Sequence, residues 1–155
     1  DATQLVVGSW IDAPEHRGTL YPRLTLISRD DSGSLKRVPD GPAGTDAETG
    51  GVVPLFWSER GIYGRSKRGL ICCDPHGSGC ELVYSPGRDR FVFAGTALGS
   101  GQALLLVQDP RLDPFEVRAR EIHQVDLAKG KGTVLLRLPD GIFINDIDWI
   151  ADEGS

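Results

Sequence analysis

The chain has 155 residues, 39% of them hydrophobic and 25% charged, and a formal net charge of −5. These values suit a globular domain with a modest core, and the acidic balance argues against general nucleic-acid binding and favours basic partners. No apolar run approaches the roughly 18 residues of a membrane helix, so no membrane span is expected.

Twenty glycines and ten prolines fall between apolar runs, a distribution that calls for many short elements and many turns. Helical periodicity is nearly absent. Strands are expected at "QLVVGSWI", "YPRLTLIS", "SLKRV", "VVPLFWS", "GIYGRS", "GLICCD", "CELVYS", "DRFVFAGT", "QALLLVQD", "EVRAREIHQVDL", "GTVLLRL" and "FINDIDWI". Val, Ile, Phe, Tyr and Trp concentrate in these runs, with Gly, Pro, Asp or Ser at their ends. "ALLLV" reads as a strand covered on both faces. "VRAREIHQVDL" alternates, with Val117, Ala119, Glu121, His123 and Val125 on one side and Arg118, Arg120, Ile122, Gln124 and Asp126 on the other. Polarity is mixed on both sides, so the pattern specifies the register weakly. Trp10, Trp57, Tyr84 and Trp149 are the expected core anchors.

The chain reads as a single all-β domain over 1–155. "PDGPAGTDAETGG" (Pro39 to Gly51) has no large apolar residue and reads as a mobile loop. "QDPRLDPF" (Gln108 to Phe115) is a shorter connection fixed by prolines.

"YSPGRDRFVFAG" resembles the "SPDGxxIaF" strand of the TolB-type β-propeller repeat, and "EIHQVDLAKGKGTVLLRL" resembles the paired strands that follow in such a blade. The resemblance spans Val52 to Gly154 and implies blades of antiparallel strands, without implying an activity. Propellers usually close with four or more blades of about 40 to 45 residues, and 155 residues allow three, or four short ones. The expected architecture is therefore antiparallel hairpins in a small, incomplete propeller-like barrel, with a β-sandwich as the alternative.

Three cysteines, Cys72, Cys73 and Cys80, lie within nine residues. Strand alternation sends Cys72 and Cys73 to opposite faces, so only one can point across at Cys80. The intervening "DPHGSG" makes Cys73–Cys80 the expected bridge, in a periplasmic or secreted chain. A start at Asp1 and the lack of methionine fit a mature or trimmed chain. In a reducing compartment the cysteines would instead be small buried apolar residues. A zinc site from the three cysteines and His76 is awkward, because the adjacent cysteines diverge.

No spacing for nucleophilic catalysis is present: there is no G-x-S-x-G, and Ser78 and Ser100 sit in glycine-rich turns. The basic stretch with Arg60, Arg65, Lys67 and Arg68 reads better as a solvated strand-and-turn face than as an anion site. "DGIFINDIDW" places Asn145, Asp146 and Asp148 together, and its Asn-Asp pair resembles the metal-contacting segment of calcium-dependent lactonase propellers. That resemblance implies calcium as a cofactor of a hydrolase, although alternation sends Asn145 to the other face. "GTALGSGQ" joins strand to strand, so it is no phosphate loop; it reads as a protruding tip.

The expected function is a non-catalytic protein-binding module without a cofactor. In size and type it is similar to small periplasmic immunity proteins that block a secreted effector enzyme. Leu98, Gly99, Ser100, Gly101 and Gln102 would form the contact. The alternatives are the calcium-dependent hydrolase and a fragment of a larger propeller.

Overall fold

The computed structural model describes the backbone of residues 4–13, 16–29, 35–37, 52–74, 79–108, 119–144 and 147, and side chains from Val52 onward. The described residues are all-β, with no helix. The chain divides into two compact units, Asp1–Leu82 and Val83–Ser155.

In the first unit β1 (Gln4–Ala13), β2 (His16–Arg29) and β3 (Leu35–Arg37) form a three-stranded antiparallel sheet in the order β1-β2-β3. A second sheet runs β4 (Val53–Ser58), β5 (Gly61–Ser66), β6 (Gly69–Cys73) and β7 (Cys80–Tyr84), in chain order. β7 ends in Val83 and Tyr84, the first residues of the second unit. The connections within β4–β6 are two-residue turns, Glu59-Arg60 and Lys67-Arg68, which bring adjacent strands into antiparallel pairing.

Alternation gives the first unit two apolar rows. Val52, Ile62, Ile71 and Cys73 cluster in its core, with Cys80 packed against them. The other row holds Phe56, Tyr63 and Cys72, successive partners across β4, β5 and β6. The rings of Phe56 and Tyr63 stack at 5.0 Å.

The second unit holds β8 (Phe91–Gly99), β9 (Gln102–Gln108), β10 (Glu121–Asp126) and β11 (Lys131–Arg137), again an antiparallel meander in chain order. Ala103 to Val107 of β9 are all buried, which bears out the strand covered on both faces. β10 alternates: Glu121, His123 and Val125 are buried, while Ile122, Gln124 and Asp126 are half-buried. All seven residues of β11 are exposed. A bulge leaves Leu135 without a partner in register, because Ile122 faces Leu136 and His123 faces Val134.

The all-β expectation is therefore met by antiparallel hairpins. Among the described residues the sheets stay open, and none closes into a barrel. Eleven strands fall on expected runs, although β2 begins at His16, five residues before its run, and β10 begins at Glu121, five residues inside its run. Of the last expected strand, the described residues contribute one bridge, Ile144 to Ala119. Trp57 departs from its expected core role. It lies on β4, the outer strand of its sheet, and is 40% exposed. Loop 39–51, the Asp109 to Arg118 stretch, Trp149 and the side chain of Trp10 lie outside what is described.

Candidate functional site

The cysteine hairpin is bridged between Cys73 and Cys80, whose Cα atoms are 4.1 Å apart. Just inside the bridge, the Asp74 amide donates to the Gly79 carbonyl at 3.0 Å. Alternation decided the pairing as expected: Cys73 points into the apolar cluster and Cys72 lies in the row with Tyr63. Cys72 is a buried free thiol. Burial pushes its pKa up, against a smaller lowering by the Tyr63 hydrogen bond, so it is not a reactive thiolate. With two of the three sulfurs in a disulfide, the four-ligand zinc arrangement is not available in this state. His76 lies outside the described residues.

Beside the bridge is an open cleft of about 360 Å³ lined by Arg60, Cys72, Asp74, Gly79, Cys80 and Glu81. Arg60 pairs with Glu81 across it at 2.6 Å, and both side chains are at least half exposed. Such a pair is worth at most about 1 kcal/mol. The basic stretch is divided by the strand that carries it: Arg60 lies in the turn before β5, and Lys67 and Arg68 in the turn after it. They therefore sit at opposite ends of β5 and make no joint anion site.

The glycine-rich tip is a tight hairpin. Gly95 to Gly99 belong to β8, and Leu98 is a bulged extra residue, since Ala97 faces Ala103 and Gly99 faces Gln102. The turn is Ser100-Gly101, both with positive φ, 52° and 72°, the combination that matches the twist of a two-residue hairpin. The Gly101 carbonyl accepts from the Leu127 amide at 2.8 Å, and the Gln124 side-chain amide donates to Gln102. These bonds anchor the tip at Gly101 and Gln102; Gly99, Ser100 and Gly101 are exposed and Gln102 is half-buried.

The largest polar arrangement is one that alternation located without revealing. Glu121 and His123 share the buried face of β10. Glu121 Oε2 accepts from His123 Nε2 at 2.8 Å and from Arg90 Nη1 at 3.0 Å, and its Oε1 accepts from Arg137 Nε at 2.7 Å. A carboxylate can only accept, so Nε2 carries the proton; in the neutral ring Nδ1 then accepts from the Tyr84 hydroxyl, 2.7 Å away. Burial alone would raise the Glu121 pKa. The His123 hydrogen bond and the Arg90 and Arg137 charges outweigh it, and the net direction is down. Tyr84 goes the other way: burial raises its pKa, and Glu121 raises it further against a lowering by Arg90.

Gly132 of β11 makes room for this phenol. A Cβ there would stand 2.6 Å from the ring and 2.7 Å from its oxygen. The network therefore holds an ionised acid and a protonated phenol in fixed places. Its cleanest chemical use is to lock Tyr84 onto the β10–β11 hairpin, since both ring nitrogens of His123 are engaged and Glu121 already accepts from three donors.

Asn145, Asp146 and Asp148 lie outside the described residues. Among the described residues no cluster of three metal-ligating side chains occurs. Comparison with family models, with curated proteins and with solved structures gives no match.

What the sequence concealed is the surface of β11. Val134, Leu135 and Leu136 are 41%, 54% and 44% exposed, and Ile142, five residues past the strand end, is 52% exposed. "GTVLLRL" has the composition of a core strand, so nothing in its own pattern announces exposure.

Proposed function

We propose that this chain is a non-catalytic protein-binding module. The observation that carries the reading is the exposed β11, whose three consecutive large apolar residues stand in water at the edge of a sheet. Exposed apolar surface at a sheet edge is costly and prone to association unless a partner covers it. The Cys73–Cys80 bridge suits an oxidising compartment, in keeping with an inhibitor or immunity protein that meets a secreted effector enzyme. In that version the Leu98–Gln102 tip is a second contact, with Gly99, Ser100 and Gly101 its exposed residues.

A second reading is supported by the sheet order. Two four-stranded meanders in strict chain order are what successive blades of a larger propeller would look like. β11 would then be covered by further sheets of the same assembly. The calcium-dependent hydrolase, built on Asn145, Asp146 and Asp148, is the rival of both. It requires a calcium-dependent rise in melting temperature that Asp146→Ala abolishes.

The test is affinity capture from the native cell extract with three baits: the wild type, Leu135→Glu, and a chain with a bulky replacement of Gly99-Ser100-Gly101. Circular dichroism first establishes that all three fold. A near-stoichiometric protein held by the wild type and lost with Leu135→Glu supports the module. Loss of at least tenfold in affinity with the tip replacement alone moves the contact to the tip. No retained protein with any bait overturns the reading.

A further inference from the structure

We propose that the free edge of β11 takes an extended segment of a different protein, an alternating apolar stretch with a carboxylate side chain at each end. This rests on the protein-binding reading above and names the chemistry of its partner. β11 is the last strand in the order β11-β10-β9-β8, so no described strand pairs with its outer edge. Outward N–H and C=O groups on such an edge are a template for one more strand. The middle of the strand, Val134 to Leu136, offers apolar contact, and the bulged Leu135 is the most exposed of the three.

The two ends of the strand choose the partner. Lys131 opens it and Arg137 closes it, both exposed. Arg137 already touches Glu121, but that one carboxylate is shared with Arg90 and His123, so the end of the strand keeps a net positive charge. This local charge is opposite in sign to the net −5 of the chain. A second copy of the chain fits poorly. Antiparallel self-pairing centred on Val134 sets Lys131 of each copy against Arg137 of the other. Parallel in-register pairing sets lysine beside lysine and arginine beside arginine. Like charges directly opposite are destabilising in either arrangement. Carboxylates at both ends of a partner strand convert the same two positions into attractive pairs.

Two fluorescein-labelled seven-residue peptides test this by anisotropy. Both alternate valine and threonine; one has aspartate at each end, the other lysine. The aspartate peptide is expected to bind at least about fivefold tighter, from two rim charge pairs, with the gap closing in about 0.5 M salt. Lys131→Glu should shrink or reverse the preference, and Leu135→Glu should abolish binding of both peptides. Equal binding of the two peptides, or binding of neither, overturns the proposal. If a captured protein is nonetheless lost with Leu135→Glu, the module reading survives and only the partner chemistry falls. Concentration-dependent self-association of the wild type in sedimentation, absent in Leu135→Glu, overturns it in favour of a second copy.

Discussion

The Tyr84 ring lies over Gly132 while its hydroxyl meets Nδ1 of His123 at 2.7 Å, so one missing side chain and one buried imidazole together fix the position of a single phenol. Tyr84 closes β7 and the other two lie on neighbouring strands, β11 and β10. A Cβ at position 132 would strike the ring, and loss of the ring would leave His123 Nδ1 without its partner.

That relationship is measurable as a coupling. Gly132→Ala is expected to destabilise the wild type by about 2 kcal/mol, through overpacking against the ring. In a Tyr84→Ala background the same substitution should cost close to nothing. Urea denaturation of the four proteins gives the coupling energy. Additive effects would mean that the ring does not occupy the space above Gly132.

The acid limb of the stability curve should belong largely to Glu121. Its folded pKa lies below its ordinary value of 4.5, so the unfolded chain binds its proton first as pH falls. The stabilisation is therefore fully present above the unfolded value and is lost as pH falls through the folded one. Glu121→Gln should flatten that loss. At neutral pH it should cost about 3 kcal/mol, because Arg90, Arg137 and His123 lose a buried charged acceptor. Melting curves of both proteins from neutral pH downward check this, and parallel curves would contradict it.

Thiol chemistry gives a count. The native chain should react slowly with a thiol reagent, since Cys72 is buried with a raised pKa. Denatured without reductant it should show one thiol, and after reduction three. Reduction should cost about 2.5 kcal/mol, the loop-closure value for a bridge this short in sequence. Three thiols without reductant would refute the bridge.

The Ser100-Gly101 turn predicts opposite signs at adjacent positions. Ser100 is held at φ 52°, where asparagine or glycine is better tolerated, so Ser100→Asn should be neutral or stabilising by about 0.5 kcal/mol. Gly101→Val, at φ 72°, should cost about 1–2 kcal/mol. Thermal melts of the two variants are sufficient.

The strands and the disulfide were legible because their signals are local. β-branched and aromatic runs end at Gly, Pro or Asp, and "LICCD" forces its two cysteines apart whatever surrounds them. β9 was legible for the same reason, as five apolar residues in a row. The polar network was not, because Glu121 is satisfied by Arg90, 31 residues earlier, and His123 by Tyr84, 39 residues earlier. No periodicity carries such separations. Trp57 and β11 failed in the opposite direction. Composition reports how apolar a strand is, while sheet order decides whether a neighbour covers it, and Trp57 and Leu135 both lie on outer strands.

The bulge opposite Ile122 and His123 has a bearing on errors of assembly. A one-residue slip of β10 would turn Ile122 and Gln124 inward and carry Glu121 and His123 outward. Hydrophobicity scarcely opposes that exchange, since Val125 and Ile122 trade places at similar cost. The arginines oppose it strongly: Arg90 and Arg137 would face an isoleucine and lose the carboxylate that now binds both. The correct pairing is thus selected by ionic recognition inside the sheet, and a Glu121→Leu chain would lose that ionic check and keep only the apolar contrast between the two faces of β10.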